Sequence, residues 1–205
     1  LLTDEARAEY LTETSPFHDV APDAWYATAV ATMEAMGIVE GRAPAVFDPD
    51  APITRGEFAA IAARFDSAPY DGADRFTDIG GHWAAEYINQ AAVKGWVEGQ
   101  PDGSFAPDRS ISRAEAMTLV NRVLGRLPET ADDLLDGMIT WPDNNPEDWF
   151  YADMQEATNS HDYTWVTVSG DKVEKWTEKL EQRDWAALEH AWSTAHSAPG
   201  GEVTK

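Results

Sequence analysis

The amino-acid sequence predicts an all-α protein built from repeated helical units. Three observations support this fold class: residues 17–64 correspond to residues 76–122, apolar residues follow helical spacing within each unit, and each unit repeats the same helix-start signal. A short run at 163–168 is the one segment typical of a β-strand. Since a repeated unit cannot bury its own apolar face, neighbouring units should pack on one another.

Composition narrows the classes of function. The chain has 205 residues, 43% of them hydrophobic, which is enough for one or two domains with a sizeable core. Its net charge of −22 disfavours binding to nucleic acid and to anionic membrane surfaces. The absence of cysteine excludes thiol catalysis, disulfides and thiolate metal sites. No apolar run approaches the roughly 18 residues that span a bilayer, so we expect no membrane insertion.

The first element predicted is a helix over residues 3–11, capped by Thr3 or Asp4. We expect the segment 1–16 to be an N-terminal helix that packs on the repeats and covers an exposed face.

Two full copies of the repeat follow, at residues 17–66 and 76–127, and polar segments with Pro and Gly separate the units. The matched pairs are Phe17/Phe76, Asp19/Asp78, Val20/Ile79, Trp25/Trp83, Gly37/Gly95, Gly41/Gly99, Phe47/Phe105, Pro49/Pro107, Arg55/Arg113, Glu57/Glu115 and Arg64/Arg122.

Each copy contains two predicted helices. The first spans residues 25–36 in copy one, and Gly37 stands where a left-handed helix terminator is expected. The second opens with a capping box, in which Thr54 or Ser112 is followed three residues later by Glu57 or Glu115. Between the helices lies a loop of turn-forming residues with a phenylalanine that can enter the core.

A degenerate third copy is predicted at residues 139–195. It begins with a Trp-Pro-Asp at 141–143 and a Trp-Phe-Tyr at 149–151, and then diverges. Residues 171–192 show a helical pattern in place of the second half of the repeat. The motif arginine is missing there, although Lys175, Lys179 and Arg183 surround its place, so we expect at most two competent grooves. The tail 196–205 is expected to be disordered.

The arginine of the helix-start signal needs a separate explanation. Arg55 and Arg113 occupy the first helical turn, where a cation opposes the helix dipole by about 0.3 to 1 kcal/mol. Either arginine could form a structural salt bridge with one of the 37 acidic residues. Alternatively, a guanidinium beside exposed amides at a helix start could bind an anion such as a carboxylate, and repetition at the same place favours this second hypothesis.

These residues resemble the S-layer homology (SLH) domain. The shared pattern is Phe-x-Asp-Val, Trp-Tyr, Gly-Ile-Val-x-Gly, Phe-x-Pro and Ile-Thr-Arg-x-Glu. The resemblance implies three pseudo-symmetric repeats around a central three-helix bundle with helical prongs. It also implies a secreted anchor on the bacterial cell surface, in the cell wall or S-layer, that binds secondary cell-wall polysaccharide, often bearing pyruvate ketals, in grooves between repeats.

The resemblance further implies a set of ligand-binding residues. Arg55 and Arg113 match the motif arginine and would grip the ketal carboxylate. Three other pairs have two possible roles each. Trp25 and Trp83 would either stack on a sugar ring or pack in the core. Asp19 and Asp78 would either bind sugar hydroxyls or cap the first helix of their repeat. Gly41 and Gly99 would either allow close approach of the ligand or form a turn with positive φ. If the arginines bind ligand, Arg55→Ala and Arg113→Ala should barely affect folding.

Other functions are less well supported by the sequence. The five histidines show no metal-ligand spacing, so we expect no zinc site. The Asp48-x-Asp50 and Asp102-Gly103 segments are better explained as turns than as calcium-binding loops. No phosphate loop or nucleophile elbow is present, so we expect neither a cofactor nor enzymatic activity. The alternatives that stay open are a protein–protein interaction scaffold on the cell surface and an accessory domain of a wall-glycan hydrolase.

Overall fold

The computed structural model describes residues 3–66, 68–126, 128 and 130–196. They form seven α-helices, a short 3-10 helix and one two-stranded antiparallel sheet. The helices are α1 (Asp4–Tyr10), α2 (Ala27–Ala35), α3 (Arg55–Ala63), α4 (Ala85–Val93), α5 (Arg113–Leu124), α6 (Tyr151–Thr158) and α7 (Trp185–His196); the 3-10 helix is Ala131–Asp133, and the strands are β1 (His161–Val168) and β2 (Asp171–Lys179). The described residues form two compact units. The first comprises those within 1–51 and 184–205, and the second comprises those within 52–183.

The first unit contains α1, α2 and α7. The hydroxyl of Thr3 caps α1 by accepting a hydrogen bond from the amide of Ala6 at 3.2 Å. Helix α2 lies within the predicted helix 25–36, and Gly37 follows it with a φ of 72°. Arg7 of α1 pairs with Glu189 of α7 and lies 3.6 Å from the centroid of the Trp192 ring. A small core forms from Phe17, Val20, Ala27 and Val30.

The second unit contains α3 to α6 and the sheet. Helix α3 packs on α4, and α5 packs on α6. Its core comprises Ala59, Ile79, Ala84, Ile88, Ala91 and Phe105. The Phe76 and Phe105 rings lie 5.2 Å apart, as the Phe17 and Phe47 rings of the first unit lie 5.3 Å apart. The repeated phenylalanines therefore make the same contact in both copies.

The all-α prediction was wrong, because residues 161–179 form a β-hairpin. In the third copy β2 stands where the second helix was predicted, so the expected central three-helix bundle is not completed by that segment. The turn between the strands is Ser169-Gly170, with φ of 53° and 101°. Positive φ at both central residues matches the right-handed twist of paired strands. Val173 and Trp176 fit a helical period in the sequence. In the structure both are buried residues of strand β2.

The boundary between the compact units falls after residue 51, between the two helices of the first predicted repeat. No helix among the described residues is long and apolar enough to cross a membrane. Of the tail predicted to be disordered, residues 197–205 lie outside the described residues.

Candidate functional site

Two capping boxes position the repeated arginines. Thr54 Oγ1 accepts from the Glu57 amide at 3.2 Å, and Glu57 Oε2 accepts from the Thr54 amide at 2.7 Å. Ser112 Oγ and Glu115 Oε2 repeat the arrangement before α5, at 3.2 and 2.9 Å. In both cases the arginine that follows is the first residue of its helix.

The first amides of α3 are not available to an anion. The amide of Arg55 donates to the carbonyl of Arg109 at 2.9 Å, and that of Gly56 donates to the carbonyl of Pro107 at 2.9 Å. The segment before α5 therefore satisfies the donors at the start of α3. Any anion bound here must be recognised by side chains.

The guanidinium of Arg55 is buried and held by three hydrogen bonds. Its Nε donates to the Phe105 carbonyl at 2.8 Å, Nη1 to Glu115 Oε1 at 2.6 Å, and Nη2 to the Glu98 carbonyl at 3.0 Å. The residue is 7% exposed, and its guanidinium carbon lies 4.4 Å from the centroid of the Phe105 ring. Burial lowers the pKa of Arg55 below its usual value, but arginine remains protonated in proteins.

Glu115 joins two arginines to the start of α5. Its Oε1 accepts from Arg55 Nη1 at 2.6 Å and from Arg109 Nη2 at 2.5 Å, while Oε2 belongs to the capping box. Burial raises the pKa of Glu115, whereas the hydrogen bonds from Arg109 and Ser112 and the charge of Arg55 lower it; on balance the pKa lies below its usual value. The ionised carboxylate is therefore favoured.

A cavity of about 300 Å³ lies beside these groups. Three arginines line it, Arg55, Arg109 and Arg122, and the guanidinium of Arg122 pairs with Glu98 at 3.1 Å. Trp96 and Trp149 also line the cavity, together with Gly99, Gln100, Phe105, Glu115 and Thr118. Guanidinium groups beside aromatic rings can bind a carboxylate and an apolar ring face at the same time.

The other predicted ligand residues lie elsewhere. Arg113 is exposed and forms no ion pair with the described residues, and neither it nor Trp83 lines the cavity. Trp83 is 59% exposed, and Trp25, in the other compact unit, is 93% exposed. Neither tryptophan is therefore a core residue.

The repeated aspartates hold loops. Asp78 Oδ1 and Oδ2 accept from the amides of Phe105 and Ala106, both at 2.7 Å. Asp19 accepts in the same way from the amides of Phe47 and Asp48, at 2.9 and 2.7 Å. The first helices α2 and α4 have no side-chain cap, so these aspartates fix the loop that leads to the second helix.

The repeated glycines make room for phenylalanine. A Cβ on Gly99 would meet Phe76 Cε1 at 2.5 Å, and one on Gly41 would meet Phe17 Cε1 at 2.6 Å and the Val46 carbonyl at 2.5 Å. Neither glycine has positive φ. Close packing within the repeat, rather than turn geometry, therefore requires glycine at both positions.

Sequence reasoning did not assign Trp96, Arg109, Arg122 or Trp149 to a ligand site. Trp96 and Arg109 occupy positions held by Ile38 and Ala51 in the first copy, so comparison of the copies gave no signal for them. Trp149 belongs to the Trp-Phe-Tyr at 149–151 of the third copy, which lacks the motif arginine and in which the sequence predicts no competent groove. Only folding brings these side chains beside Arg55.

Comparisons with known proteins agree with the repeat pattern. The sequence model of the S-layer homology domain family matches residues 16–59 and 75–117 of this chain. Cell surface glycoprotein 1 of Acetivibrio thermocellus is 32% identical over 179 residues, which is 82% of this chain and 7% of that protein. The cellulosome-anchoring protein of the same organism is 33% identical over 171 residues, which is 80% of this chain and 36% of that protein.

A third relative is the surface layer protein of Brevibacillus choshinensis, 35% identical over 124 residues, which is 57% of this chain and 11% of that protein. The chain thus spans well under half the length of these relatives. Together the matches indicate a location at the bacterial cell surface or cell wall. Through its two matching repeats, the chain belongs to the S-layer homology (SLH) domain family.

Proposed function

We propose that this chain is a non-enzymatic anchor that holds a larger protein to the cell wall by binding a secondary cell-wall polysaccharide. The ligand that fits best is a sugar bearing a pyruvate ketal, which offers a carboxylate beside a methyl group. The main support is the cavity beside Arg55, where three arginines and two glutamates leave a formal charge of +1, in a chain whose net charge is −22. An acidic sugar is attracted there, while the rest of the surface repels it.

The three arginines have different parts in this proposal. Three of the five N–H donors of Arg55 are used within the protein, so it contributes a fixed positive charge and its remaining donors. The side chain of Arg109 is 46% exposed and that of Arg122 is 26% exposed, so both can reach an incoming carboxylate. Trp96 and Trp149 supply an apolar wall for the ketal methyl group or the sugar ring.

Arg113 is proposed as a second anion contact. It repeats the motif position of Arg55 but is exposed and unpaired within the described part of the chain. The exposed indoles of Trp25 and Trp83 are proposed as further stacking surfaces for sugar. Asp78 contributes indirectly, because it holds the loop that carries cavity residues, and Gly99 is itself one of those residues.

A pull-down on purified wall sacculi tests the anchor. We expect the protein to bind untreated sacculi and to lose binding after chemical removal of pyruvate. Arg109→Ala and Arg113→Ala should each weaken binding about 10- to 150-fold, the cost of one lost hydrogen bond to a charged group. Arg126→Ala is the control, because Arg126 is exposed and does not line the cavity. Equal binding by all three variants would contradict the proposal.

The alternative with a specific observation in its favour is a protein-docking surface. Trp25, Trp83 and Trp149 are 93%, 59% and 66% exposed, and tryptophan is enriched at protein interfaces. Binding to sacculi that survives removal of pyruvate but disappears after removal of wall proteins would support docking. Release of sugar from wall glycans by the purified chain would instead support an enzyme.

A further inference from the structure

Three ionisable side chains meet at the junction of α6 with the hairpin, in the second compact unit. Glu156 belongs to α6, His161 begins β1 and Glu174 lies on β2. Both glutamates are 1% exposed, and the His161 side chain is 6% exposed. Burial of two carboxylates is costly unless a nearby positive charge compensates it.

Two of the three distances between the donor atoms match a metal coordination sphere. His161 Nε2 lies 3.2 Å from Glu156 Oε2 and 3.4 Å from Glu174 Oε1, and one ligand atom from each residue lies within 4.8 Å of the others. Bonds of about 2.0 to 2.1 Å to a tetrahedral Zn²⁺ place neighbouring ligand atoms about 3.3 Å apart. The two distances from Nε2 are therefore those of a tetrahedral edge.

The surrounding hydrogen bonds orient the donors. His161 Nδ1 lies 3.0 Å from the Asn159 carbonyl, which can only accept, so Nδ1 carries the hydrogen and Nε2 faces the carboxylates. Trp176 Nε1 donates to Glu156 Oε2 at 2.7 Å, and its ring stacks on His161 with centroids 4.0 Å apart. Metal-binding histidines usually donate their second N–H to a carbonyl or carboxylate, and ligating carboxylates are hydrogen-bonded in turn.

Glu156 supplies a second indication of a ligand. Its Oε1 is buried and has no hydrogen-bond partner among the described residues. A buried, unsatisfied carboxylate oxygen is rare in folded proteins and indicates a bound ligand such as a metal ion or a water molecule. This oxygen can serve as a further donor if the carboxylate binds in a bidentate manner.

We propose that Glu156, His161 and Glu174 form a binding site for a divalent transition-metal ion of the zinc class, which fastens the hairpin to α6. One imidazole nitrogen together with carboxylate oxygens suits Zn²⁺ and other divalent metal ions of the first transition row. Ca²⁺ fits poorly, because it takes six to eight oxygen ligands. Linear spacing did not suggest this site, since its donors come from three elements that only the tertiary fold assembles.

The competing arrangement is a protonated histidine between the two carboxylates. Burial lowers the pKa of His161, whereas hydrogen bonds and charge from Glu156, and hydrogen bonds to Asn159 and Glu174, raise it above its usual value. A proton on Nε2 would then replace the metal ion. The two arrangements differ in whether the protein takes up an ion.

Zinc uptake by the full chain distinguishes them. After dialysis against EDTA, the protein is titrated with Zn²⁺ in competition with a chromogenic chelator, and its thermal midpoint is recorded with and without the ion. We expect one Zn²⁺ per chain and a higher Tm with zinc. Glu156→Gln and Glu174→Gln should abolish both effects. Glu178→Gln, on the same strand but exposed, is the control and should behave as the wild type.

Two further measurements keep the test decisive if a variant fails to fold. Trp176→Phe removes the hydrogen bond to Glu156 and should weaken zinc binding about 10- to 100-fold. Co²⁺ added to the wild type should give the visible spectrum of a four-coordinate site. Absence of stoichiometric zinc uptake by the folded wild type, or equal uptake by the Glu→Gln variants, would overturn the proposal in favour of the protonated histidine.

Discussion

The guanidinium of Arg55 has a structural role as well as a place in the cavity wall. It bonds to the carbonyls of Phe105 and Glu98 and to the carboxylate of Glu115, all from the second repeat. Its presence in the first turn of α3, against the helix dipole, is explained by these contacts. The proposed ligand therefore meets a cation that is already held in place.

This environment changes the expected effect of mutating Arg55. Arg55→Ala removes the hydrogen bonds to the Phe105 and Glu98 carbonyls and one of the two cations that pair with the partly buried Glu115 carboxylate. We therefore expect a loss of about 3 kcal/mol in the free energy of unfolding. Arg113→Ala removes an exposed side chain and should change stability by less than about 0.5 kcal/mol. Urea unfolding measures both. Equal stability of the two variants would contradict the structural role of Arg55.

The pKa of Glu115 predicts a pH dependence of stability. Because this pKa lies below its usual value in the folded state, the unfolded chain binds the proton more readily. The stabilisation is therefore present above the ordinary glutamate range, about pH 4.3, and is lost as the pH falls through the lower folded pKa. We expect the difference in unfolding free energy between wild type and Glu115→Gln to be largest at neutral pH and to shrink on acidification. A constant difference across this range would exclude the carboxylate as its source.

At the level of elements, the loop between the two helices of a repeat is fixed from both sides. In the second repeat, the carboxylate of Asp78 accepts hydrogen bonds from two loop amides. Gly99, on the same loop, leaves room for the Phe76 ring to pack against the backbone. In the second repeat this loop carries Glu98, Gly99 and Gln100 into the cavity wall. Loop packing and the candidate site are therefore coupled.

Gly99→Ala tests this coupling. The added Cβ would lie 2.5 Å from the Phe76 ring and 2.8 Å from the Ser104 carbonyl, so either the ring or the loop must shift. We expect a loss of about 1 to 3 kcal/mol in stability, measured by thermal unfolding, together with weaker binding to sacculi. Gly80→Ala is the control, because the nearest atom to its Cβ would be 3.7 Å away. A neutral effect of Gly99→Ala would show that the loop adapts.

The hairpin shows where element prediction from sequence failed. Apolar residues at 173, 176 and 180 fit a helix, and the strand run at 163–168 does not by itself predict a partner strand. A hairpin gains its stability from contacts between its two strands, which the apolar period within one strand cannot reveal. The Ser169-Gly170 turn between the two segments was the available signal.

At the level of the whole molecule, excess negative charge opposes folding. The chain carries 37 acidic and 15 basic residues, so the compact state suffers net repulsion. Salt shortens the screening length from about 10 Å at 0.1 M to about 3 Å at 1 M. We expect the Tm to rise by a few degrees as NaCl is added, as measured by circular dichroism. A fall in Tm would mean that favourable ion pairs, such as Arg55 with Glu115, outweigh the repulsion.

The sequence by itself determined the repeat, the capping boxes at the starts of α3 and α5, and membership of the SLH family, which the match at 16–59 and 75–117 confirmed. These features are encoded locally or in copies that can be compared along the chain. Tertiary structure alone decided that Arg55 is buried against Glu115, that Arg109 and Trp149 face the same cavity, and that a hairpin replaces a helix. Each of these depends on contacts between different segments of the chain, whose geometry is fixed only when the chain packs.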